Sequence, residues 1–452
     1  MLDDAGELSF VPPAPHPGSH KANLFHLVRW GMSRPLDAWP RAVFEELSYR
    51  SPGPAAPLFI MDPAAIRAVF VDEADAFTQG AMFRRMMRPV WGEGILTSEG
   101  PAWRWQRRAS APAFRPAHMD ALAPFMAQAA QSGLDRWAHG AQVDFAQEAG
   151  RMTFDAILDS TLSGGEGFER ASLRSRITGF LSKVLTPRLS FYMASDRWHE
   201  GRSLPPAPGA AGLRRDVDAM IRHRREGEPR GDLVDLLLGA HDPESGHTMD
   251  DATLRDNLLG FMVAGYQTSS VALTWSVFLA SQHAPTAARL RAEVEAVAGE
   301  ASIGPEHVER LIFTRQVVSE ALRLYPPAFQ LYRVCVREAV VGGRVFRPGD
   351  KVLIPIYALH RHRRWWRDPD VFDPDRFAPD RPAPDRHLYM PFGAGGRVCL
   401  GAAFAMTELV VMLATLMRGA TFTVDPNHRV WPGTAFELLP RGGMPMRIKP
   451  RR

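Results

Sequence analysis

The sequence predicts a mainly α-helical protein with small β-sheets. The first observation is a long, largely apolar run at about residues 250–281, whose start Thr248 and Asp251 can cap. The second is another run of helical character, at about 402–417, which follows a glycine-rich loop. Short segments such as 57–61 and 344–355 are expected to supply the strands.

Composition limits the class of protein. The chain has 452 residues, a formal net charge of +4 and two cysteines without a pairing pattern, which indicates a reducing compartment. No N-terminal stretch approaches the ~20 apolar residues that a membrane span needs, and no secretory signal is visible. Arginine clusters at 104–108 and 360–367 belong to no recognised nucleic-acid-binding module, so no nucleic acid is expected as a partner.

The most informative segment is Phe392-Gly-Ala-Gly-Gly-Arg-Val-Cys-Leu-Gly401. It places Cys399 just before a predicted helix, where the helix dipole and unpaired N–H groups favour the thiolate form. A plain buried cysteine would be the expectation for an isolated Cys, but the surrounding loop indicates a ligand.

The rest of this loop fits a flat, bulky, anionic group. Gly393, Gly395 and Gly396 allow the backbone to come close to such a group, and Arg397 can reach an anion on it. A phosphate-binding P-loop would need Lys-Ser or Lys-Thr at Arg397-Val398, and the dinucleotide fingerprint would need glycine at Val398. Thiolate, glycines and arginine together predict a seat for haem.

This loop resembles the haem-binding loop of the cytochrome P-450 superfamily, the haem-thiolate monooxygenases. All of that loop's fixed positions are present: Phe392, Gly393, Gly395, Arg397, Cys399 and Gly401. The resemblance implies haem b as the cofactor and Cys399 as the axial iron ligand, because thiolate ligation favours O–O bond cleavage.

The long predicted helix agrees with that resemblance. Phe261, Ala264, Gly265 and Thr268 share one helical face, and the two small residues leave room for a flat cofactor and for O2. Thr268 can bond back to a helix carbonyl or deliver a proton. Without Cys399, a close-packed core helix would be the simpler interpretation.

One position departs from the family pattern. Gln267 stands where the family has an acid, and an amide cannot release a proton near neutral pH. We expect Thr268 and ordered water to carry the proton, with Gln267 as a positioning group.

A buried charge cluster is also expected. Glu320 and Arg323 lie three residues apart on a predicted helix, and the resemblance implies that both pair with Arg376. Asp375 precedes that arginine where the family usually has glutamate. Their expected role is structural.

The resemblance further implies which residues hold the haem propionates. Trp103 and Arg107 fit the family's Trp-x-x-x-Arg helix, and Arg333 and Arg397 are the other candidates. Cys335 belongs to no ligand motif and is expected to be a core or strand residue.

The resemblance places substrate contacts in segments at 77–91, 168–198, 261–264 and 328–331. The first segment is rich in methionine and aromatic residues, which suggests a bulky lipophilic substrate such as a fatty acid, terpenoid or steroid. A plain core is the competing interpretation of the methionine-rich first segment. The candidate substrate contacts are Phe83, Met86, Met87, Phe261, Ala328 and Phe329.

The resemblance covers about residue 40 to the end, so we expect an N-terminal extension at 1–40 and one haem-thiolate domain at 41–452. It resembles the soluble, cytoplasmic bacterial type without a fused reductase. Electrons are then expected from a ferredoxin or flavodoxin with its NAD(P)H reductase. Arg104, Arg108 and Arg115 are the candidates for docking an acidic partner, and a solvated basic surface is the competing interpretation. The predicted reaction is insertion of one atom of O2 into an apolar C–H or C=C bond. The alternatives are a peroxide-dependent haem-thiolate enzyme and a non-catalytic haem sensor.

Overall fold

The structure is a computed structural model that describes residues 10–15, 17, 35–52, 56–161, 169–184, 195–205, 209–434 and 436–451. Helices dominate these residues, as the sequence predicts. The α-helices are Pro35–Ala38, Ala42–Glu45, Pro63–Arg67, Ala81–Trp91, Gly100–Ser110, Pro116–Asp120, Ala123–Arg136, Phe145–Thr161, Arg170–Val184, Asp196–His199, Ala210–Glu226, Leu233–Leu238, Asp251–Gln282, Ala284–Ala298, Pro305–Val308, Ile312–Leu324, Ile356–Leu359 and Ala402–Gly419.

Short helical turns complete the helical part. Ala68–Asp72 is a π-helical turn, and Ala74–Ala76, Ala111–Phe114, Pro374–Phe377 and Gly395–Arg397 are 3-10 turns.

Small sheets lie beside the helices. The strands are β1 Ser48–Arg50, β2 Leu58–Ile60, β3 Phe77–Thr78, β4 Ala141–Asp144, β5 Leu331–Cys335, β6 Ala339–Val341, β7 Arg344–Phe346, β8 Lys351–Ile354, β9 Ala420–Val424, β10 Pro432–Thr434, β11 Leu438–Pro440 and β12 Pro445–Pro450. One sheet has the order β1-β2-β8-β5-β3, with β2 and β8 parallel, and another has the order β4-β12-β9. The pairs β6-β7 and β10-β11 are antiparallel hairpins.

The helix Asp251–Gln282, called the long helix below, crosses the core. Every residue from 269 to 280 is buried, so this half has no solvent-facing side, and its threonine hydroxyl bonds back to the helix, Thr274 Oγ1 donating to Ser270 O at 2.7 Å. Its N-cap is Asp250, whose side chain accepts a 2.8 Å hydrogen bond from Thr253 N. The predicted caps at Thr248 and Asp251 were therefore wrong. The helix begins at Asp251, so the capping position belongs to Asp250, whose side chain reaches a free N–H group of the first turn.

The second predicted helix, Ala402–Gly419, is called the cysteine helix below. It is the one helix in the described ranges that is long and apolar enough to cross a membrane, yet 67% of it is buried inside the protein. It packs against the long helix and against Ala123–Arg136. Its apolar sequence is therefore explained by packing inside the protein.

The chain before residue 40 already contacts the rest of the protein. Tyr325 Oη donates a 2.6 Å hydrogen bond to Pro13 O, and Phe372 N donates to Phe10 O at 3.0 Å. The boundary between an extension and a domain at residue 40 stays a prediction.

Candidate active site

A cavity of about 400 Å³ lies between the long helix and the loop at 392–401. The long helix contributes Ala264, Gly265 and Thr268 to its wall, and the loop contributes Cys399. Most of the wall is apolar, and the polar groups on it are few. One cavity therefore joins the two segments that the sequence singles out.

Cys399 presents its side chain to this cavity. The side chain is exposed there, although protein surrounds it on most sides, so it faces the cavity rather than bulk water. Its backbone N donates a 2.9 Å hydrogen bond to Phe392 O, which closes the loop in front of the cysteine helix. Burial raises the pKa of the Cys399 thiol, while the N–H of Gly401 and the charge of Arg107 lower it.

Burial thus opposes the thiolate form that the helix terminus favours. A metal cation bound at the sulfur would favour the thiolate form against this effect of burial.

The glycines of the loop are needed mainly because protein lies close to them. Gly395 has a φ of +66°, and a Cβ there would lie 2.1 Å from Phe70 O. A Cβ on Gly396 would lie 3.0 Å from the Trp103 ring, and one on Gly393 would meet only Leu331 at 3.8 Å. The prediction that all three approach a flat ligand needs correction at Gly395 and Gly396, where protein atoms occupy that space.

Three guanidinium groups line the cavity, those of Arg107, Arg333 and Arg397. Burial lowers the pKa of all three, to about 10 for Arg333 and for Arg397. Arg397 also lowers the pKa of Arg333, and Glu99 partly offsets the repulsion by raising both values. The three arginines share one cavity, and Glu99 is the acid that acts on two of them. Such a set fits a ligand that brings negative charges of its own.

Trp103 supports one of these cations. The Arg397 guanidinium lies 4.5 Å from the centre of the Trp103 ring, and its Nη2 donates a 2.7 Å hydrogen bond to Ser98 O. Arg333 lies 4.6 Å from the Phe70 ring centre, and its Nη1 donates to Tyr332 O at 2.8 Å. Aromatic rings thus hold both guanidinium groups at the cavity.

The face of the long helix lies as the sequence predicts. Phe261, Ala264, Gly265 and Thr268 all line the cavity. Thr268 Oγ1 donates a 2.7 Å hydrogen bond back to Ala264 O. Gly265 has a second role, since a Cβ there would lie 2.5 Å from Ile157 Cδ1, so the helix Phe145–Thr161 also needs glycine at this position.

Gln267 does not belong to the cavity wall. Its side chain hydrogen-bonds to the carboxyl of Glu437, which lies just before β11 and is 5% exposed. The sequence did not identify Glu437, because nothing local to residue 437 indicates a contact with the long helix.

A second buried acid was also missed. Glu408 of the cysteine helix is 0% exposed. The hydroxyl of Ser269, a residue of the cavity wall, is the polar group that lowers the pKa of Glu408. Burial raises the pKa of Glu408 to about 8, and it does the same at Glu437. An acid inside an apolar helical run was the signal that could have found Glu408.

Glu320, Arg323 and Arg376 come together in the core. Arg323 Nε and Nη2 donate to the Glu320 carboxylate at 2.6 and 2.7 Å, and Arg376 Nε lies 3.4 Å from Glu320 Oε1. Arg323 Nη1 also donates to His360 O and Pro369 O. Since these contacts tie three separate segments together away from the cavity, their role is structural.

Only part of the expected substrate surface lines the cavity. Phe261 and Ala328 are on its wall, and Phe261 packs edge-on against Phe114 at 5.0 Å. The other four side chains pack in or against the hydrophobic core instead: Phe83, Met86, Met87 and Phe329. None of those four lines the cavity, Met86 and Met87 being buried on the inner side of the helix Ala81–Trp91, and the four assignments stay predictions. Much of the expected segment at 168–198 lies outside the described residues.

The expected docking arginines differ in availability. Arg108 Nε and Nη2 bind the buried Asp242 carboxylate at 2.6 and 2.9 Å, so Arg108 is not available to a partner. Arg104 lies 3.6 Å from Asp75, and Arg115 is exposed. Cys335 is a buried residue of β5, as the sequence predicts.

Comparison with known proteins places this geometry in a family. The family model described as Cytochrome P-450 matches residues 12–442. Cyclooctatin synthase of Streptomyces melanosporofaciens is 30% identical over 88% of this chain and 87% of its own length. Human cytochrome P-450 4F12 is 30% identical over 88% of this chain and 81% of its own length.

Solved structures agree. The crystal structure of the cytochrome P-450DA haem domain superposes with a TM-score of 0.78 at 26% identity, covering 90% of this chain and 89% of that domain. A further cytochrome P-450 structure, at 24% identity, has a TM-score of 0.80 over 97% of this chain and all of the other chain, which supports the fold alone.

Proposed function

This chain belongs to the cytochrome P-450 family, and from that premise we propose what its individual residues do in the reaction. The enzyme is a haem b-dependent monooxygenase, which inserts one atom of O2 into an organic substrate. In the proposal, Cys399 ligates the iron while Arg107, Arg333 and Arg397, with Trp103, hold the propionates. The observation that carries the proposal is that one cavity contains Cys399, Thr268 and all three arginines.

The residues fit haem chemically. A thiol facing an apolar cavity supplies a soft, anionic ligand, and the buried guanidinium groups supply fork-shaped donors for carboxylates. Phe392 and Gly393 shape the loop before Cys399. The bound haem supplies the O2 chemistry, and the chain's own residues orient it, exclude water and move protons.

Thr268 is proposed to move a proton into the cavity. Its hydroxyl lies on the wall and donates to Ala264 O, so rotation of the side chain lets Oγ1–H point into the cavity instead. Ala264 and Gly265 leave space beside it, and Gln267 acts from behind the wall as a positioning group.

The substrate is proposed to be bulky and mostly hydrocarbon. Phe261 and Ala328 line the cavity together with Leu96 and Leu331, and such a surface favours apolar ligands. A relative of 29% identity is named cyclooctat-9-en-7-ol 5-monooxygenase, after an unsaturated alcohol. Terpenoid alcohols are therefore the first class to test, before fatty acids and steroids.

Electrons are proposed to come from a ferredoxin or flavodoxin with its NAD(P)H reductase. The exposed Arg115 supports docking of an acidic partner, and Arg104 contributes despite its contact with Asp75. Cytoplasmic localisation is proposed on the ground that Cys335 and Cys399 are both free thiols.

The first experiment is a titration of the haem absorption spectrum with farnesol, dodecanoic acid and progesterone. We expect a low-spin thiolate spectrum that shifts toward high spin with one probe. Cys399→Ser should abolish the thiolate signature, and Cys335→Ser is the matched control that should keep it. A thiolate spectrum in Cys399→Ser would contradict the ligand assignment.

A second candidate, a peroxide-dependent enzyme, is favoured by one observation only: Gln267 supplies no acid at its position. Product formation from peroxide without reductase, at a rate equal to the reductase-driven reaction, would support it over the monooxygenase.

A further inference from the structure

Two buried carboxyl groups lie near the residues that precede and follow Thr268 in the long helix. Gln267, the residue before Thr268, hydrogen-bonds to Glu437, and Ser269, the residue after it, lies near Glu408 without a hydrogen bond to it. Neither acid has a role in the function proposed above. Both are deeply buried, which leaves their charged forms without the solvation that water provides.

We propose that Glu437 is the residue that stores the proton for Thr268, in place of the acid that position 267 lacks. This inference rests on the monooxygenase function proposed above. The amide of Gln267 donates one hydrogen bond to the Glu437 carboxyl, which holds that group against the long helix. Glu437 thereby acts through Gln267 and Thr268 as a positioning and proton-holding residue.

The free oxygen of Glu437 is the site of the stored proton. Glu437 Oε2 is buried and has no hydrogen-bond partner among the described residues. A buried carboxylate oxygen without a partner is costly, whereas a protonated one is neutral. Burial and the Gln267 hydrogen bond set the pKa of Glu437 at about 8, so the acid form predominates at neutral pH.

Hydrogen bonds fix the turn that contains Glu437 to the long helix. The next residue, Leu438, accepts a 2.8 Å hydrogen bond from Trp275 Nε1 of the long helix. Leu438 N donates to Pro327 O at 3.1 Å, and the Trp275 ring stacks on Tyr325 at 3.9 Å. These contacts hold the Glu437 backbone beside the long helix independently of its carboxyl.

The proposed transfer conserves the proton. The Oε2–H bond of Glu437 breaks, the proton crosses bridging water to Thr268 Oγ1, and the original Thr268 hydroxyl proton passes into the cavity. Thr268 is left neutral and Glu437 is left as a carboxylate, which regains a proton from water.

Solvent access separates Glu437 from Glu408. Glu437 follows Phe436, which is 42% exposed at the turn between β10 and β11, so water can return a proton over a short distance. Glu408 lies within the cysteine helix between the buried Thr407 and Leu409. Refilling from solvent therefore favours Glu437.

The matched variants are Glu437→Gln and Glu408→Gln. Glutamine has the shape of a protonated glutamate and keeps the anchoring contacts, but it cannot give up a proton. Using the farnesol, dodecanoic acid or progesterone probe that shifts the haem spectrum most, we expect Glu437→Gln to lower the product formed per reductant consumed by about tenfold or more, with peroxide released instead. Glu408→Gln should stay within twofold of wild type. The swap Gln267→Glu with Glu437→Gln should restore coupling.

An infrared measurement tests the protonation of Glu437 without catalytic turnover. Infrared spectra of the haem-loaded protein should contain a protonated carboxyl band that titrates near pH 8 in Glu408→Gln and is missing from the double variant Glu408→Gln with Glu437→Gln. Absence of that band in Glu408→Gln, or unchanged coupling in Glu437→Gln, would overturn the inference. A wild type that forms no product from any probe would contradict the proposed function instead, while the infrared titration still decides whether Glu437 holds the proton.

Discussion

Arg397 is held between the Trp103 ring and the carbonyl of Ser98: its guanidinium lies 4.5 Å from the ring centre and 2.7 Å from Ser98 O. Its pKa is lowered to about 10, mainly by burial. The arginine is thus fixed in position by groups that leave part of its hydrogen-bonding capacity free for an anion.

Arg397→Ala should weaken haem retention. A hydrogen bond to a charged group contributes about 1.5–3 kcal/mol, so haem should dissociate on the order of 10- to 100-fold faster. Trp103→Phe should have a smaller effect, about two- to fivefold, because the cation–π contact weakens but remains. Transfer of haem to excess apomyoglobin measures both rates, and equal rates in Arg397→Ala and wild type would contradict the propionate assignment.

Gly395→Ala should destabilise the protein strongly. Its φ of +66° disfavours any side chain, and the new Cβ would lie 2.1 Å from Phe70 O, a backbone atom that cannot rotate away. We expect a loss of more than about 3 kcal/mol in the free energy of unfolding. Gly100→Ala is the control, since Gly100 also has positive φ but nothing within 4 Å, and it should lose only about 1 kcal/mol. Urea unfolding compares the two; similar losses would show that the Phe70 contact is unimportant.

Glu320→Ala should destabilise the fold strongly. It leaves Arg323 fully buried without its carboxylate, which costs about 3–5 kcal/mol. Asp375→Ala removes an exposed pair with Arg289 and should cost less than about 1 kcal/mol. Soluble yield and thermal midpoints test this. A well-folded Glu320→Ala protein would mean that the backbone contacts of Arg323 suffice.

Stability should fall as the pH rises toward 8. Burial raises the pKa of Glu408 to about 8, so the folded protein keeps a proton that the unfolded chain releases above its ordinary value of 4.5. Between those values the unfolded state binds fewer protons, so each pH unit costs on the order of 1 kcal/mol for this group.

Glu408→Gln should therefore reduce the slope of stability against pH, and the remaining slope should include Glu437, whose pKa is also about 8. Urea unfolding at pH 6 and pH 8.5 compares wild type and variant. Parallel slopes would show that Glu408 ionises without cost in the folded protein.

Local pattern was enough for much of the fold. The long helix and the cysteine helix were predicted within about two residues at each end, because apolar periodicity reports burial directly. The segments at 57–61 and 344–355 contain β2, β7 and β8. The family resemblance added which residues should share one site, and the cavity contains Cys399, Thr268 and the arginines.

Other predictions depend on packing, which the sequence does not show. Met86 and Met87 have the composition of a substrate surface, yet both are buried, and sequence cannot tell which side of a short helix faces a cavity. Gly395 and Gly396 were correctly seen as close-approach positions, but the approaching atoms belong to Phe70 and Trp103.

The helical class, the cysteine loop and the small-residue face of the long helix could be predicted from the sequence, since each depends on residues near one another in the chain. The contact of Gln267 with Glu437, the position of Ser269 near Glu408 and the effect of burial on the pKa of Cys399 are visible only in the folded protein. Those properties depend on desolvation and on contacts between distant segments, and neither is encoded in local spacing.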